Sequence, residues 1–560
     1  MTTPSTQDIV AHWRNQPAPL LAILHDLHER DGCLTEEALR DASKALRIPI
    51  AELYGTMTFY HHFAREGSNR MSPRVCTGPI CRLAGAQALL NALGPDATEM
   101  PCSGRCDDPI PVLKGNETFV GDASGSLTRR PPPIPPDHPG KTAECVFAAI
   151  REPDRGTIDG YRRTGGYDAL TRALSEMRPA QILDIVSKSG LAGRGGAGFP
   201  TGVKWKAVAD APRFPKSVVC NADEGEPGCF KDRAIMDYDP HALIEGMALA
   251  GLATGATRGF IYLRYEYPET LTVLQKAIAQ AQGAGFLGDH IHGTEFTFRI
   301  HLRRGAGAYI CGEEGSLLNS LEGKHPFPRN RPPFPVTHGF ENLPTAVNNV
   351  ETLVSVPPII RHGADWYHAL GLGENAGTKV ISLSGDIREP GNYEVPLGLP
   401  LKTLLYEWAG GPPEGRSVRA VTMAGLSGGF LAGDALEVTL DEPSIRQHGS
   451  FLGAGGIMVF DDSRDMVEVA RMAMEFFAEE SCGKCFPCRI GTQRLTERLA
   501  GSAGPTAVGA WIDEVHDIGQ VMQSISACGL GIAAPLITES LLKYFPERVA
   551  EHVGASRNGS

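Results

Sequence analysis

Residues 129–140 read RRPPPIPPDHPG, and neither a helix nor a central strand can pass through them. Proline holds φ at about −65° and removes the amide donor, so the stretch reads as a semi-rigid extended linker. It cuts the 560 residues into a shorter N-terminal part and a longer C-terminal part. At roughly 150 residues per domain there is room for about four domains. Hydrophobic residues make up 42% of the chain and charged residues 21%, which excludes a chain that is disordered throughout. The net charge of −12 argues against a primary nucleic-acid binder, whose affinity would rest on neutralising phosphates. No apolar run reaches the roughly 20 residues that span a bilayer, so direct membrane insertion is not expected. The start, MTTPSTQDIV, lacks a basic region followed by an apolar one, so a cytoplasmic location is expected.

Around the linker the periodicity changes several times. Residues 1–68 repeat apolar positions at helical spacing, as in Leu20, Leu21, Leu24 and Leu27, and Thr35-Glu-Glu-Ala reads as a helix start. A small helical bundle is expected there. Residues 69–128 read as a strand into Cys76, one helix from Cys81 to Gly94, a turn holding Cys102 and Cys106, and a hairpin of Pro111-Val-Leu with Thr118-Phe-Val. The linker is taken as 129–149. Residues 150–375 mix helices with short strands such as Ser217–Cys220 and Gly259–Leu263, an α/β pattern. Residues 376–460 are β-rich, with strands at Lys379–Leu383 and Leu436–Leu440 and one helix near 400–408. From 461 to 550 the pattern is helical, interrupted by a cysteine loop.

Eight of the 13 cysteines fall in groups, seven of them tightly spaced and Cys528 as a possible fourth member of the last. In a reducing compartment such groups are metal ligands more often than disulfides. Cys482-Gly-Lys-Cys485-Phe-Pro-Cys488, with Cys528 downstream, lets one loop wrap three corners of a [4Fe–4S] cube. Zinc, which usually takes two separate CxxC pairs, is the alternative. Lys484 and Arg489 place positive charge beside an anionic cluster. Cys76, Cys81, Cys102 and Cys106 form two pairs suited to a [2Fe–2S] rhomb, again with zinc as the alternative. Cys33, Cys145, Cys220, Cys229 and Cys311 are scattered and read as ordinary thiols. His61-His62 has no second histidine pair at metal-binding spacing and reads as packing.

Gly193-Arg-Gly195-Gly-Ala-Gly198 satisfies the dinucleotide pattern GxGxxG. That pattern must follow a strand and open a helix, whereas residues 180–189 read as a helix and Pro200 follows the last glycine. The motif is therefore not read as a Rossmann site. Its chemistry remains available: backbone amides, Arg194 and Lys204 can approach a phosphate or a flavin edge. Asn221-Ala-Asp223-Glu224-Gly-Glu226 ends a strand with three carboxylates, and Glu313-Glu314 adds two more. Two acidic groups beside a cationic glycine loop suggest a polar ligand pocket.

Together GRGGAGFPTGVKW (193–205), NADEGEPG (221–228), YICGEE (309–314), NNVETL (348–353) and SCGKCFPC (481–488) resemble the flavin-bearing NADH-oxidising subunit of respiratory complex I. The same subunit type occurs in soluble NAD-linked formate dehydrogenases and hydrogenases. Residues 1 to about 125 resemble the thioredoxin-like [2Fe–2S] protein of that module, fused in front. The resemblance implies a multidomain α+β and α/β chain. It would carry a thioredoxin-like [2Fe–2S] domain, an FMN and NAD(H) domain, a small ubiquitin-like domain and a helical bundle holding [4Fe–4S]. By motif match, Gly193, Arg194, Gly195, Gly196, Lys204, Asn221, Asp223, Tyr309, Gly312, Glu313, Asn348, Asn349 and Thr352 would hold FMN. Phe199, Glu224, Glu226, Glu314, Arg331 and Phe334 would serve NAD. The cluster ligands would be Cys482, Cys485, Cys488 and Cys528, and Cys76, Cys81, Cys102 and Cys106.

Ala207 and Arg331 depart from the complex I pattern and look like the formate dehydrogenase and hydrogenase branch. The resemblance thus implies the diaphorase (beta) subunit of a cytoplasmic formate dehydrogenase. Its partners would be NAD(H), a molybdenum or tungsten catalytic (alpha) subunit and a further small iron–sulfur subunit. The equivalent subunit of an NAD-linked [NiFe] hydrogenase or of complex I is the alternative, and a non-catalytic iron–sulfur scaffold is the alternative of another class. No side chain need act as acid or base, because FMN carries the chemistry. Glu224, Glu226 and Glu314 facing the ribose would favour NAD over NADP by repelling a 2′-phosphate.

Overall fold

The computed structural model describes residues 3–64, 69–137, 140, 142–501 and 507–555. The chain opens with helices Thr6–Trp13, Leu20–Asp31, Glu36–Leu46 and Ile50–Phe59. Thr35 caps the third, its hydroxyl accepting from the amide of Ala38. Leu20, Leu21, Leu24 and Leu27 are all buried, as their spacing requires.

The first sheet holds β1 (Arg74–Cys76), β2 (Thr98–Met100), β3 (Pro111–Lys114), β4 (Glu117–Gly121) and β5 (Leu127–Thr128), in the order β2-β1-β3-β4-β5. Strands β1 and β2 run parallel, and the remaining pairs are antiparallel. The single helix expected from Cys81 to Gly94 is two, Pro79–Leu83 and Ala86–Leu93. Gly85 sits at φ +103°, a conformation no helix interior accepts. Of the expected linker, residues 138, 139 and 141 lie outside the described residues, and 129–137 form no helix or strand. This stretch is pinned to the body of the protein, for Arg151 donates to the carbonyls of Pro135 (3.1 Å) and Pro136 (2.7 Å).

The second sheet is wholly parallel: β6 (Ser217–Ala222), β7 (Arg258–Leu263), β8 (Arg299–Arg304) and β9 (Thr345–Asn349), in the order β8-β7-β6-β9. The helix Pro240–Thr254 is buried along almost its whole length, as expected where a parallel sheet is covered on its faces. The acidic motif and Asn349 sit at the carboxyl ends of β6 and β9, where open α/β sheets hold their ligands.

The third sheet holds β10 (Thr378–Gly385), β11 (Gly391–Pro396), β12 (Val418–Thr422), β13 (Phe430–Ala432) and β14 (Gly456–Asp461), in the order β11-β10-β14-β12-β13. A π-helical turn over Thr403–Trp408 crosses it. The strand expected at Leu436–Leu440 is absent. The segment starts as a 3₁₀ turn, Gly433–Glu437, and Thr439 makes a lone bridge to Pro400, its bonds running from Leu401 to Val438 (2.9 Å) and from Leu440 to Leu399 (2.8 Å). The helical turns beyond residues 437 and 403 leave no extended backbone to lengthen it. The C-terminal helices are Met466–Glu479, Phe486–Leu499, Val508–Ile525, Gly529–Ala533, Leu536–Tyr544 and Pro546–Ala555. Among the described residues no helix is long and apolar enough to cross a membrane.

The N-terminal part is locked onto the α/β domain. Arg303 donates to the carbonyls of Pro17 (2.6 Å) and Ala18 (3.0 Å), and Tyr60 shares a hydrogen bond with Ser320 (2.7 Å). His25 and His28 from one helix meet His62, with ring centroids 5.1 and 4.9 Å apart. Burial, then neighbouring arginines, push all three imidazoles below their usual range, so they pack as neutral rings. The strongest tie is the ion pair of Asp107 with Arg233 at 2.8 Å, both side chains at most 2% exposed. Breaking a buried pair strands the remaining charge. Asp107→Ala should therefore lower stability by about 3–5 kcal/mol, read from denaturant unfolding followed by circular dichroism. A loss below about 1 kcal/mol, the scale of an exposed pair, would show that Arg233 finds another counter-charge.

Candidate functional site

The glycine-rich loop lies between the helices Pro179–Lys188 and Thr201–Asp210, so it joins helix to helix and is not a strand–turn–helix phosphate site. It is closed at its base by the Gly193 amide donating to the Phe199 carbonyl (2.9 Å). The amide of Arg194 donates to Thr352 Oγ1 at 2.8 Å, which anchors the loop to the helix after β9. Gly195 passes against Asn349, where an added Cβ would sit 3.0 Å from the asparagine Cβ. Gly196, at φ +122°, could not carry a side chain without strain.

This loop forms one edge of a cavity of about 390 Å³, within the usual range of small-molecule sites. Gly195, Gly196, Asn221, Asp223, Glu224, Glu226, Tyr309, Gly312, Glu313 and Asn349 line it, all singled out by sequence. Asn221 donates to the Gly312 carbonyl (2.7 Å), tying the strand end to the YICGEE turn. Asp223 is buried and its Oδ2 has no partner. Burial pushes its carboxyl well above the usual carboxylate range.

The charged groups of several expected ligand residues are engaged by the protein itself. Arg194 turns its buried guanidinium away from the cavity to the Tyr367 hydroxyl (2.8 Å), so it is not a free cation for a phosphate. Glu224 caps the helix Lys231–Tyr238, accepting from the amides of Asp232 (2.9 Å) and Arg233 (3.1 Å) and from the Tyr267 hydroxyl (3.0 Å). Burial, and Asp232 beside it, push its carboxyl up to about 7. Glu226 accepts from the amides of Leu426 (2.8 Å) and Ser427 (3.1 Å), the Ser427 hydroxyl (2.8 Å) and Tyr309. All three carboxylates expected to face a ribose are therefore engaged by the protein, Glu224 and Glu226 through these bonds and Glu314 through Arg331 (2.9 Å). Asn348 is held from behind by Trp205 (2.9 Å).

Beside the cavity is an open face. Phe199 and Phe334 are 49% and 53% exposed. Arg331 pairs with Glu313 and with Glu314 (2.9 Å). Lys204 donates to the Val347 carbonyl (2.8 Å) and lies 3.7 Å from Glu314.

Cys482, Cys485, Cys488 and Cys528 line one small cavity at the mouth of the helices Phe486–Leu499 and Gly529–Ala533. Ile310 and Leu530 line both this cavity and the larger one, so the two are neighbours. Cys76, Cys81, Cys102 and Cys106 are all buried and gathered, with the Cys102 and Cys106 sulfurs 3.6 Å apart. Contact with Cys102 and then burial push the Cys106 thiol far up. Four thiols crowded in this way fit a site that takes them as thiolates on iron. Arg264 donates to the Cys102 carbonyl (2.7 Å) and to the Glu224 carbonyl, so this group abuts the acidic motif.

Sequence reasoning missed part of the wall. Ala424, Ser427, Phe451, Gly453 and Ala454 come from the third-sheet domain, and Gly529, Leu530 and Ala533 from the helical domain. The only local signal is glycine at 425, 428, 429, 453, 455 and 456. It also missed a buried lattice under the cavity. Lys231 contacts Asp232 (2.7 Å) and Glu351 (2.9 Å), and Lys379 donates to the Arg194 carbonyl (3.3 Å). The chain itself marks these only as charged residues in apolar surroundings.

Comparison with known proteins agrees with this geometry. The chain matches the Nuo51 FMN-binding domain over residues 186–358 and the NADH-ubiquinone oxidoreductase-F iron–sulfur binding region over 468–552. It matches the thioredoxin-like [2Fe–2S] ferredoxin over 6–126 and the SLBB domain over 380–430. It is 44% identical over 408 residues to the F 2 subunit of NADH-quinone oxidoreductase of Rhizobium meliloti (strain 1021), covering 72% of this chain and 96% of that one. It is 34% identical over 568 residues to the NAD-reducing hydrogenase HoxS subunit alpha of Cupriavidus necator, covering 96% and 92%. It also superimposes on a crystal structure of NAD⁺-reducing [NiFe]-hydrogenase in the H₂-reduced state. There the TM-score is 0.81 and the identity 31%, over 96% of this chain and 93% of that one.

The lattice under the cavity makes its own forecast. Burial alone would raise the Glu351 carboxyl, yet Lys231, Lys379 and Arg194 together hold it below its usual value. A carboxylate lowered in this way adds stability above the ordinary glutamate range and loses it as pH falls through the lowered value. Lys231→Met should therefore destabilise the protein by about 3–5 kcal/mol at neutral pH. The deficit should shrink as pH falls through the lowered Glu351 value, below the ordinary glutamate range. Chemical denaturation across pH measures it, and a pH-independent deficit would contradict the ionic account.

Proposed function

Because the chain belongs to the family of the F-type subunits of NADH-quinone oxidoreductase, and matches almost the whole of one member, we propose that it is the diaphorase of an NAD-linked complex. In this role it exchanges hydride between NAD(H) and FMN and single electrons with iron–sulfur clusters. NADH gives its electrons as a pair and clusters take them singly, and FMN, when bound, is the group able to do both. The chain's own residues then bind, orient and insulate.

The observation that carries this reading is the neighbourhood of three sites. A cavity with an unpartnered buried carboxylate oxygen lies against one cysteine group through Ile310 and Leu530, and against another through Arg264. Gly195, Gly196, Asn221, Asp223, Tyr309, Gly312, Glu313 and Asn349 would contact FMN directly, while Gly193, Arg194, Asn348 and Thr352 shape the loop behind. Phe199, Phe334, Arg331, Glu314 and Lys204 would receive the nucleotide on the open face, stacking apolar rings on a base and pairing with its charged groups. Cys482, Cys485, Cys488 and Cys528 would hold [4Fe–4S], and Cys76, Cys81, Cys102 and Cys106 would hold [2Fe–2S]. Phe486, Val521, Ile525 and Ile532 are exposed apolar residues on the helices around the first group, which suits a protein that passes electrons to a partner.

For the partner, the end-to-end match to a hydrogenase subunit supports a hydrogenase-type catalytic core. Ala207 and Arg331, which suggested a formate dehydrogenase partner, fit the hydrogenase branch equally and do not favour formate over hydrogen. Purifying the complex from its source, identifying its subunits and measuring NAD⁺ reduction by H₂ and by formate separates the two. Reduction by formate with a molybdenum or tungsten subunit would overturn the hydrogenase partner and leave the diaphorase reading intact.

For the electron exit, Cys485→Ser should remove the low-temperature EPR signal of a reduced [4Fe–4S] cluster while flavin content stays at the unmodified level. NADH-to-ferricyanide activity should persist, and turnover with the partner should vanish. Full partner-linked turnover would refute the role given to this cluster.

A further inference from the structure

Among the described residues, the acidic motif hydrogen-bonds to the third-sheet domain through one carboxylate. Glu226 Oε1 accepts from two consecutive amides, Leu426 and Ser427, and Oε2 accepts from the Ser427 hydroxyl and from Tyr309. Each of these groups comes from a loop that lines the cavity or abuts its lining. The contact is built tightly from both sides. Gly425 sits at φ +70°, and a Cβ there would lie 2.4 Å from Glu226 Cγ. A Cβ on Gly228 would lie 2.9 Å from Met458 Cγ, and one on Gly456 2.6 Å from Cys229 Sγ. Just beyond the latch, Phe451, Gly453 and Ala454 form the cavity wall facing the glycine-rich loop, with the Ala454 nitrogen 3.6 Å from where a Gly196 Cβ would be.

We propose that the third-sheet domain is a wall of the ligand cavity and that Glu226 is the positioning residue that latches it there. A carboxylate with four donors satisfies two amides that would otherwise be unpaired at the domain boundary, and its loss would free the 424–428 loop. The role assigns Glu226 to pocket shape, not to reading the ribose. It rests on the reading of the cavity as the flavin and nucleotide site.

The test uses the full, flavin-loaded chain. In Glu226→Ala, hydrogen exchange at the Leu426 and Ser427 amides should speed by about tenfold or more. KM for NADH should rise by about tenfold with kcat within about twofold, since the wall affects binding more than chemistry. The ratio of kcat/KM for NADH and NADPH should stay unchanged. Glu226→Gln keeps an oxygen for both amides and should restore both exchange and KM. If Glu226→Ala does not fold, Ser427→Ala removes one donor and should raise KM in the same sense.

Unmodified exchange in Glu226→Ala, or in Ser427→Ala an unchanged KM, would overturn the latch. A shift toward NADPH in Glu226→Gln with both amides still protected would show that the carboxylate reads the nucleotide, and would also overturn it. Faster exchange with unchanged NADH kinetics would show a latch that is no wall, which refutes the proposal. Failure of the unmodified protein to bind flavin or NADH would instead refute the functional reading, because the exchange data judge the latch alone.

Discussion

Two lysines, Lys231 and Lys379, are buried beneath the ligand cavity, and much of the structure is arranged around compensating them. An isolated ammonium in an apolar interior is too costly to persist, so it must be paired or lose its proton. Lys231 is paired twice, by Asp232 and Glu351, and its pKa is raised accordingly. Lys379 has a weaker environment, and burial pushes it down to about 8. Glu351 also accepts from the amide of Val380 (2.8 Å), and Asn349 donates to Asp232 (2.5 Å). One lattice therefore fixes the end of β9, the start of β10 and the floor of the cavity. Lys379 extends it to the glycine-rich loop through the Arg194 carbonyl. The loop's shape depends on charge compensation in a neighbouring domain.

The same logic holds at the other boundaries. Arg233 with Asp107, Arg264 with the Cys102 carbonyl and Glu226 with the 426–427 amides are polar ties between domains, and most of the groups involved are buried. Polar groups withdrawn from water are costly unless their partners are in place, so such ties favour one relative placement of the domains. For a chain that moves electrons between sites, fixed placement matters, because transfer depends on which cofactors are neighbours. The linker contributes through Arg151, which holds two proline carbonyls and prevents the N-terminal part from swinging on a free tether.

The sequence was most legible where the chemistry is local. Three thiols at fixed spacing, a proline run, a glycine loop following a helix and a strand ending in carboxylates each declare themselves within a dozen residues. Rejection of the Rossmann reading needed only the helix at 180–189 and Pro200. Local reading failed where one residue overrode its neighbours. Gly85 split a helix whose flanks all favour continuation.

What the sequence by itself determined is the set of cofactor-binding segments and the kinds of domain that carry them, because these follow from residue type and spacing along the chain. Only the tertiary structure decided what the charged residues do. Glu224 and Glu226 look alike in NADEGEPG, yet one caps a helix and the other holds a second domain. Arg194 looks like a phosphate ligand and is instead turned inward to Tyr367. The direction a side chain takes depends on which donors the rest of the fold brings within about 3 Å of it. Those donors come from positions as far as 201 residues along the chain, which no local pattern can report.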